Sequence, residues 1–149
     1  MHQSKILVQE VEKLKVISKQ DFEDIARIYQ SYSSAQINRA NIRDAVLEHC
    51  VLVSRLNRPR TGKIIGFVTL LIYRRMKGLV AQVEDIVVDE KYYRSGVGSK
   101  LLAECVRRAR NAGCADVHLV TYPNLKAANK FYQTAGWTKL NTNTYKVFL

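Results

Sequence analysis

The sequence has few of the residues on which disulfide-rich and zinc-binding domains depend. Its 149 residues include three cysteines, Cys50, Cys105 and Cys114, with no C-x-x-C spacing and no His–Cys cluster that would suggest zinc. A sparse, odd-numbered set excludes a disulfide framework and a zinc site of the usual spacing. We therefore expect no metal site, and three reduced core thiols in an intracellular compartment.

Long apolar runs and targeting signals are also missing. No stretch of about 18 consecutive apolar residues occurs, so the sequence predicts no transmembrane helix and no membrane partner. Residues 1–16, MHQSKILVQEVEKLKV, include acids and have no continuous apolar core, which excludes a secretory signal. We expect a cytoplasmic protein. Residues 13–21, KLKVISKQD, come close to an N-terminal peroxisomal address but end in Asp, so a peroxisome-like microbody is the alternative location.

Linkers, internal repeats and low-complexity segments are absent from the sequence as well. A chain of 149 residues with 47% hydrophobic and 25% charged residues has the size and composition of one globular domain. The expected organisation is therefore a single domain that covers residues 1–149.

Positive charge is the main excess in the composition, because the net charge is +11. Such an excess favours an anionic partner: a nucleic acid, an acidic membrane or a phosphorylated small molecule. The basic residues form only short groups, RLNRPR, YRRMK and RRAR, and the eight tyrosines fall mostly within apolar patterns. A nucleic-acid-binding module would instead interleave exposed aromatic residues with basic ones. Nucleic acid is therefore disfavoured as a partner, and a basic nucleic-acid-binding module remains the non-enzymatic alternative.

Hydrophobic periodicity predicts an alternation of strands and helices. The predicted strands are EKLKVIS, CVLVSRL, KIIGFVTLLIY, LVAQVEDIVV and ADVHLVTY, with two short closing strands in WTKLNTNTYKVFL. The predicted helices are SKQDFEDIARIYQSY with Ser18 as its N-cap, AQINRANIRDAVLEH, the segment that follows Gly98, and NLKAANKFYQTA. The order β-α-α-β-β-β-α-β-α-β-β indicates an α+β protein with a parallel crossover in its second half.

A glycine turn connects the strand LVAQVEDIVV to the most regular predicted helix. Gly96 and Gly98 lie where that helix begins. A helix N-terminus presents unpaired N–H groups and a partial positive charge, and glycines let a phosphate approach those groups. The neighbouring residues that could add donors are Arg94, Ser95, Ser99 and Lys100. A tight turn that binds nothing is the alternative, and the sequence lacks both the P-loop pattern and the third glycine of a dinucleotide fingerprint.

The segment from VEDIVVDEKYYRSGVGSKLL to AANKFYQTAGW resembles the GNAT superfamily of acyl-CoA-dependent N-acetyltransferases. The predicted order of elements agrees with that family. The resemblance implies a central mixed, twisted sheet flanked by helices, in which two parallel strands splay apart to bind acetyl-CoA. One position departs from the family pattern: Tyr93 stands where Arg or Gln is usual, and Arg94 stands where a glycine is common.

The resemblance also implies which residues hold the cofactor. The pantetheine arm would lie between the splayed strands, and the backbone amides of Ile86, Val87 and Val88 would face the thioester carbonyl. The residues implied to contact the rest of coenzyme A are Tyr93, Arg94, Ser95, Gly96, Val97, Gly98, Ser99, Asn129 and Tyr132.

Three residues are candidates for the chemistry. Tyr132 matches the tyrosine of the family's F-Y motif, which is implied to donate a proton to the leaving thiolate; a helix tyrosine that only packs on the sheet is the alternative. Glu84 and Asp85 are candidate bases, through water, or groups that grip the ammonium. Neighbouring strand residues face opposite sides, so we expect only one in a given pocket, Glu84 first and Asp85 second. An acid pair held in salt bridges is the alternative.

Within the superfamily, QVEDIVV, the short length and the closing YKVFL are most similar to the glucosamine-6-phosphate N-acetyltransferases. That similarity implies an amino-sugar phosphate as the amine substrate, a place in UDP-N-acetylglucosamine biosynthesis, and a homodimer. Arg74 and Arg75 would then bind the sugar phosphate, unless they are solvated loop charges. The subfamily carries an acid where this chain has Val120, which leaves another small-molecule amine, or a protein or peptide amine, as alternatives.

Overall fold

The structure is a computed structural model that describes residues 11–56 and 61–149. It divides into two compact units, Met1–Leu119 and Val120–Leu149. That the whole chain folds as one domain stays a prediction. Part of the predicted turn NRPRTG, residues 57–60, lies outside the described residues.

The first unit holds most of the secondary structure. In chain order, its described elements are β1 Glu12–Lys13, α1 Lys19–Tyr32, α2 Arg39–Glu48, β2 Cys50–Arg55, β3 Ile64–Arg75, β4 Gly78–Val88, α3 Val97–Asn111 and β5 Val117–His118. A 3-10 turn at Glu90–Tyr92 leads into α3. Ser18 caps α1 as predicted, since its hydroxyl accepts from the Asp21 amide at 3.0 Å while the Asp21 carboxylate accepts from the Ser18 amide.

The strands form one mixed sheet in the order β1-β2-β3-β4-β5. The first four strands are antiparallel neighbours, and β5 runs parallel to β4 after the crossover through α3. The α+β architecture that the sequence predicts, with a parallel crossover in its second half, is therefore confirmed.

Two apolar layers cover the two faces of this sheet. On one face, α1 and α2 bury Ile25, Ile28 and Val46 against a cluster that includes Phe67. On the other face, α3 approaches β3 so closely that a Cβ added at Gly66 would lie 2.8 Å from Val97 Cγ1. A side chain at position 66 would push the helix away, so this glycine fixes where α3 begins relative to the sheet.

A buried ion network joins the first strands to α1. The Arg55 guanidinium donates to Glu12 at 2.5 Å, to Asp21 at 2.6 Å and to the Gly62 carbonyl at 3.0 Å. Burial acts to raise the pKa of Asp21, but the bonds from Arg55 and Ser18 outweigh it and hold that pKa below its usual value. The network ties β1, α1 and the segment before β3 to one guanidinium.

The three cysteines are free thiols, as the sequence predicts. Only Cys105 is buried, and burial raises its pKa to about 12. Cys50 and Cys114 are half-buried, so the expectation of three core thiols is wrong for these two.

Four predicted strands are shorter than expected or not formed. The strand predicted at EKLKVIS is limited to Glu12–Lys13, and one further backbone bond, from the Leu14 amide to the Val51 carbonyl at 2.8 Å, continues it along β2. The strand predicted at ADVHLVTY is limited to Val117–His118. The closing strands predicted in residues 137–149 do not form: this segment has no strand, and Tyr145, Val147 and Leu149 are exposed. An alternating apolar pattern is not sufficient for a strand, because a β-ladder also needs a neighbouring strand with which to pair.

The second unit contains α4, Lys126–Thr134, among its described residues. The helix ends before Gly136, which has a φ of 86° and turns the chain toward Trp137. Across the described ranges of both units, no helix combines the length and apolar character needed to cross a bilayer, and no three His, Cys, Asp or Glu side chains group as metal ligands would.

Candidate functional site

The glycine turn has the backbone that an anion site at a helix N-terminus requires. Gly96 is the N-cap of α3 with a φ of 86°, and a Cβ there would meet nothing within 4 Å. The first bond within the helix runs from the Lys100 amide to the Gly96 carbonyl at 3.0 Å. The amides of Val97, Gly98 and Ser99 therefore have no acceptor within the helix and point out of its first turn.

Some side chains around this turn are exposed to a ligand, and others are buried or already hydrogen-bonded within the turn. Tyr93 and Arg94 are exposed, and Arg94 has a φ of 60° that brings a second left-handed residue into the turn. The Ser95 hydroxyl donates to the Tyr92 carbonyl at 2.5 Å and so stabilises the turn itself. Val97 is buried beneath the turn, so only its backbone can contact a ligand.

Within the first unit, β4 has an open edge over the half that leads to this turn. It pairs with β5 only at Ala81↔Val117 and Gln82↔His118. Beyond Gln82, the segment that contains Ile86, Val87 and Val88 has no β5 partner in the described residues of this unit. An open strand edge of this kind can bind an extended, amide-containing chain as an added strand.

A β-bulge interrupts β4 at the two candidate acids. Thr69 pairs with Glu84 and Phe67 pairs with Val87, so the single residue Val68 lies opposite both Asp85 and Ile86. Asp85 has a φ of 49°, in the left-handed region. Strict alternation does not hold across such a bulge, so the expectation that only one of the two acids can face a given pocket loses its geometric basis.

The pKa values of Asp85 and of Tyr29 are both raised above their usual values. Asp85 is exposed as a whole residue, yet the surrounding protein limits the hydration of its carboxylate, and this desolvation raises its pKa. The negative charge of Glu84 raises the pKa of Asp85 further. Burial raises the pKa of Tyr29 on α1, and the Asp85 charge adds to that shift. Glu84 accepts a hydrogen bond from the Gln82 side-chain amide. Perturbed acids of this kind are typical of functional sites.

Asp85→Asn is expected to leave the melting temperature at pH 7 equal to or above that of the unmodified protein. A carboxyl whose folded pKa is raised costs stability once it ionises, and this cost disappears as pH falls below the ordinary aspartate value. Asn also tolerates a left-handed φ. Thermal unfolding at pH 7 and at about pH 3.5 measures the effect, with any gain confined to pH 7. A lower melting temperature at pH 7 would show that the Asp85 charge stabilises the fold.

The two candidate arginines differ in what they contact. The Arg75 guanidinium donates to the Tyr73 hydroxyl at 3.1 Å and lies 5.6 Å from the centre of its ring. Arg74 is the adjacent strand residue and therefore points to the opposite face of the sheet. The structure thus brings Arg75, but not Arg74, into a side-chain cluster with Tyr73.

The remaining candidates lie in the second unit. Tyr132 is half-buried on α4, with its ring centre 5.4 Å from that of Phe131 and 6.4 Å from that of Trp137. The Asn129 side-chain amide donates to the carbonyls of Tyr122 at 2.9 Å and Leu125 at 2.8 Å, where it stabilises the start of α4.

Residues 16–137 match the family model described as acetyltransferase (GNAT) family. The chain belongs to the GNAT acetyltransferase family. It is therefore an acetyl-CoA-dependent N-acetyltransferase, and acetyl-CoA is its acyl donor. This result decides against the non-enzymatic alternative.

Curated relatives of this acetyltransferase carry two kinds of name. A glucosamine 6-phosphate N-acetyltransferase of Trypanosoma brucei brucei is 25% identical over 84% of this chain and 88% of that protein. Glucosamine 6-phosphate N-acetyltransferase 1 of Oryza sativa subsp. japonica is 32% identical over 63% of this chain and 56% of its own length. A thialysine N-epsilon-acetyltransferase of Bos taurus is 27% identical over 59% of this chain and 54% of that protein.

Solved structures share the fold of this acetyltransferase. A crystal structure of an acetyltransferase from Trypanosoma brucei superposes with a TM-score of 0.75 at 23% identity, over 94% of this chain and 99% of the other. An aminoglycoside N-acetyltransferase in complex with CoA gives a TM-score of 0.76 at 17% identity, over 93% of each chain. At these identities the likeness concerns the fold, and it agrees with the predicted GNAT architecture.

Proposed function

We propose that this acetyltransferase moves the acetyl group of acetyl-CoA onto the amine of glucosamine 6-phosphate. The observation that carries the proposal is the open edge of β4, which leads from the acid pair Glu84–Asp85 to the amides at the start of α3. The names of the relatives from Trypanosoma brucei brucei and rice support the sugar.

In the proposed mechanism the chain's own groups hold the cofactor. The amides that begin α3 would hold the pyrophosphate of acetyl-CoA, and the open edge of β4 would bind its pantetheine arm as an added strand. The Asp89 amide donates to the Ile65 carbonyl of β3 at 2.8 Å, so the Val87 amide, two residues earlier, also faces β3 and is not available to the cofactor. The amides of Ile86 and Val88 are left to stabilise the thioester oxygen as negative charge develops on it. Much of the acceleration comes from aligning the amine with the thioester carbon.

Three proton transfers complete the proposed reaction. Glu84 or Asp85, through water, takes a proton from the substrate ammonium, and the freed lone pair attacks the thioester carbonyl carbon. The carbon–sulfur bond then breaks, and Tyr132 donates a proton to the departing thiolate. The nitrogen of the new amide gives up its second proton, through water, to the Tyr132 phenolate, which restores the phenol and leaves a neutral amide. A phenol carries its proton at neutral pH and can act as this acid.

A different small-molecule amine is the second candidate. The bovine relative is named for thialysine, and Val120 stands where the amino-sugar subfamily carries an acid. The Val120 side chain is aliphatic, so it supplies no charge to orient an amine. A protein or peptide amine is the third candidate.

A panel of amines with acetyl-CoA, followed by release of free thiol, tests the proposal. The panel contains glucosamine 6-phosphate, glucosamine, thialysine and a lysine-containing peptide. The highest kcat/KM is expected for glucosamine 6-phosphate. A higher value for thialysine or for the peptide would contradict the sugar assignment while leaving the acetyltransfer reaction in place.

We also propose that the enzyme is a homodimer. Tyr145, Val147, Phe148 and Leu149 are exposed in the single chain, and a second copy would bury them. Light scattering is expected to give a mass near twice 17.1 kDa. A monomer at micromolar concentration would refute this proposal, and replacing Val147 and Leu149 with serine should favour the monomer if these residues form the contact.

A further inference from the structure

Four side chains of the first unit form a continuous polar row on the sheet. Arg75 donates to the Tyr73 hydroxyl at 3.1 Å. That hydroxyl lies 3.4 Å from His118 Nε2, and His118 Nδ1 lies 3.4 Å from the Asp116 carboxylate. The Asp116 carboxylate orients the imidazole, whose Nε2 atom then faces the hydroxyl.

The register of the strands explains why these residues meet. Tyr73 pairs with Val80 of β4, and His118 pairs with Gln82 of the same strand. Paired residues share a face of the sheet, and so do residues two apart on a strand. The four side chains of the row therefore lie on one face. The Tyr73 and His118 side chains reach each other across β4. Glu84 belongs to the same face, since it pairs with Thr69 and accepts a hydrogen bond from Gln82.

Within the first unit, α1 covers only one end of this face. Tyr29 stacks on Phe67, with ring centres 6.5 Å apart, and Phe67 is buried. Further along β3, the side chain of Tyr73 is half-buried and that of Arg75 is exposed. The strip from Glu84 to Arg75 carries its polar groups among the apolar side chains of Leu71 and Val80, and it is reachable at the end that α1 leaves uncovered.

The two ends of this strip differ in charge. At one end, Glu84 offers a carboxylate to a cation. At the other end, the Arg75 guanidinium and the Tyr73 hydroxyl carry hydrogen-bond donors, and His118 Nε2 lies 3.4 Å from that hydroxyl. A cavity of about 360 Å³ adjoins this second end and is lined in part by Arg75, Lys77 and Asp116. That volume lies in the range of small-molecule pockets.

We propose that Tyr73, Arg75 and His118 bind the anionic group of the acceptor amine, while Glu84 faces its ammonium. The inference rests on the proposed acetylation of a small-molecule amine and names the substrate class as a zwitterion. Glu84 and the register position of His118 lie two residues apart along β4, or about 7 Å. An amine and an anionic group separated by one sugar ring or a short aliphatic chain fit this spacing.

The anion can come from two chemical sources. Glucosamine 6-phosphate carries a phosphate, and thialysine carries an α-carboxylate. Arginine binds both planar carboxylates and phosphates through paired N–H groups. Both candidate substrates thus carry an anionic group that lies at a distance from the reacting amine.

Paired substrates test the subsite. Each anionic amine is compared with its neutral counterpart: glucosamine 6-phosphate with glucosamine, and thialysine with its decarboxylated analogue. In Tyr73→Phe, Arg75→Gln and His118→Gln, kcat/KM for the preferred anionic amine is expected to fall about 10-fold or more, mostly through KM. The neutral counterpart should change less than about twofold, because it makes no bond to these groups.

Two control variants match the substitutions in chemistry but lie away from the strip. His49→Gln and Arg43→Gln replace the C-cap residue and a mid-helix residue of α2, and both should keep the kcat/KM of the unmodified enzyme. Calorimetry with inorganic phosphate gives a readout that does not depend on turnover. Binding is expected to be weaker in Arg75→Gln and His118→Gln than in the unmodified enzyme.

The outcomes separate this inference from the assignment of the substrate. If thialysine is preferred over its decarboxylated analogue and glucosamine 6-phosphate is not turned over, the sugar assignment fails and the anion subsite stands. Equal losses on anionic and neutral amines in the three variants would overturn the subsite. Inorganic phosphate that binds the variants as tightly as the unmodified enzyme would overturn it as well.

Discussion

Replacing Arg55 with methionine is expected to lower the free energy of unfolding by about 3–5 kcal/mol at neutral pH. Arg55 has only 4% of its surface exposed and donates to Asp21 and Glu12 at once. Without the guanidinium, the buried Asp21 carboxylate keeps its desolvation cost and loses its main hydrogen-bond donor. Urea unfolding at pH 7 measures the loss.

The pH dependence of this loss has a definite sign. The pKa of Asp21 is held below its usual value in the folded protein, so its contribution to stability is present above the unfolded pKa and is lost as pH falls through the folded pKa. The difference between Arg55→Met and the unmodified protein should therefore shrink in acid, where Asp21 is protonated in both.

Two further variants test whether the loss comes from the buried ion network. Arg43→Met removes an exposed ion pair with Asp44 and should cost less than about 1 kcal/mol. Adding Asp21→Asn and Glu12→Gln to Arg55→Met should recover part of the loss, because the uncompensated charges are removed. A loss below about 1 kcal/mol for Arg55→Met alone would show that the network does not stabilise the fold.

The regular elements of this fold follow from local sequence patterns. Leu101, Leu102, Cys105 and Ala109 recur at helical spacing, and α3 buries all four. Gly96 marks the start of that helix, and the left-handed conformation observed there is one that glycine adopts without strain. Patterns that depend on neighbouring residues in the chain are thus predictable from the sequence.

The features that depend on long-range pairing are the ones that the sequence does not predict. The bulge at Asp85 arises from the register between β3 and β4, and an aspartate at φ 49° leaves no signal in a strand pattern. His118 meets Tyr73 only because β5 and β3 both flank β4. The one available signal was the alternation of Tyr73 with Arg75 and of Asp116 with His118 on their strands.

The C-terminal segment shows the same limit in another form. Tyr145, Val147 and Leu149 alternate as strand residues do, yet they form no strand and are exposed in the single chain. An alternating pattern indicates that one face of a segment is apolar and favours burial. It does not identify which strand, or which copy of the chain, buries that face.

Tyr132→Phe is expected to lower kcat by about 100-fold or more while leaving the affinity for acetyl-CoA nearly unchanged, because general acid catalysis typically contributes about 10²–10⁴-fold. The substitution removes only the phenolic oxygen. The contacts with Phe131 and Trp137 are made by the ring, which phenylalanine retains, so α4 should keep its packing. A departing thiolate without a proton donor leaves more slowly, and that loss falls on turnover.

Initial rates of thiol release and equilibrium titration with acetyl-CoA separate the two quantities. Tyr122→Phe removes the hydroxyl of an exposed tyrosine in the same unit and should leave both unchanged. If Tyr132→Phe turned over as fast as the unmodified enzyme, the thiolate would be stable enough to leave unaided or would take its proton from water. If kcat and acetyl-CoA affinity fell together, Tyr132 would act mainly in holding the cofactor, because an interaction made only in the transition state lowers kcat without weakening ground-state binding.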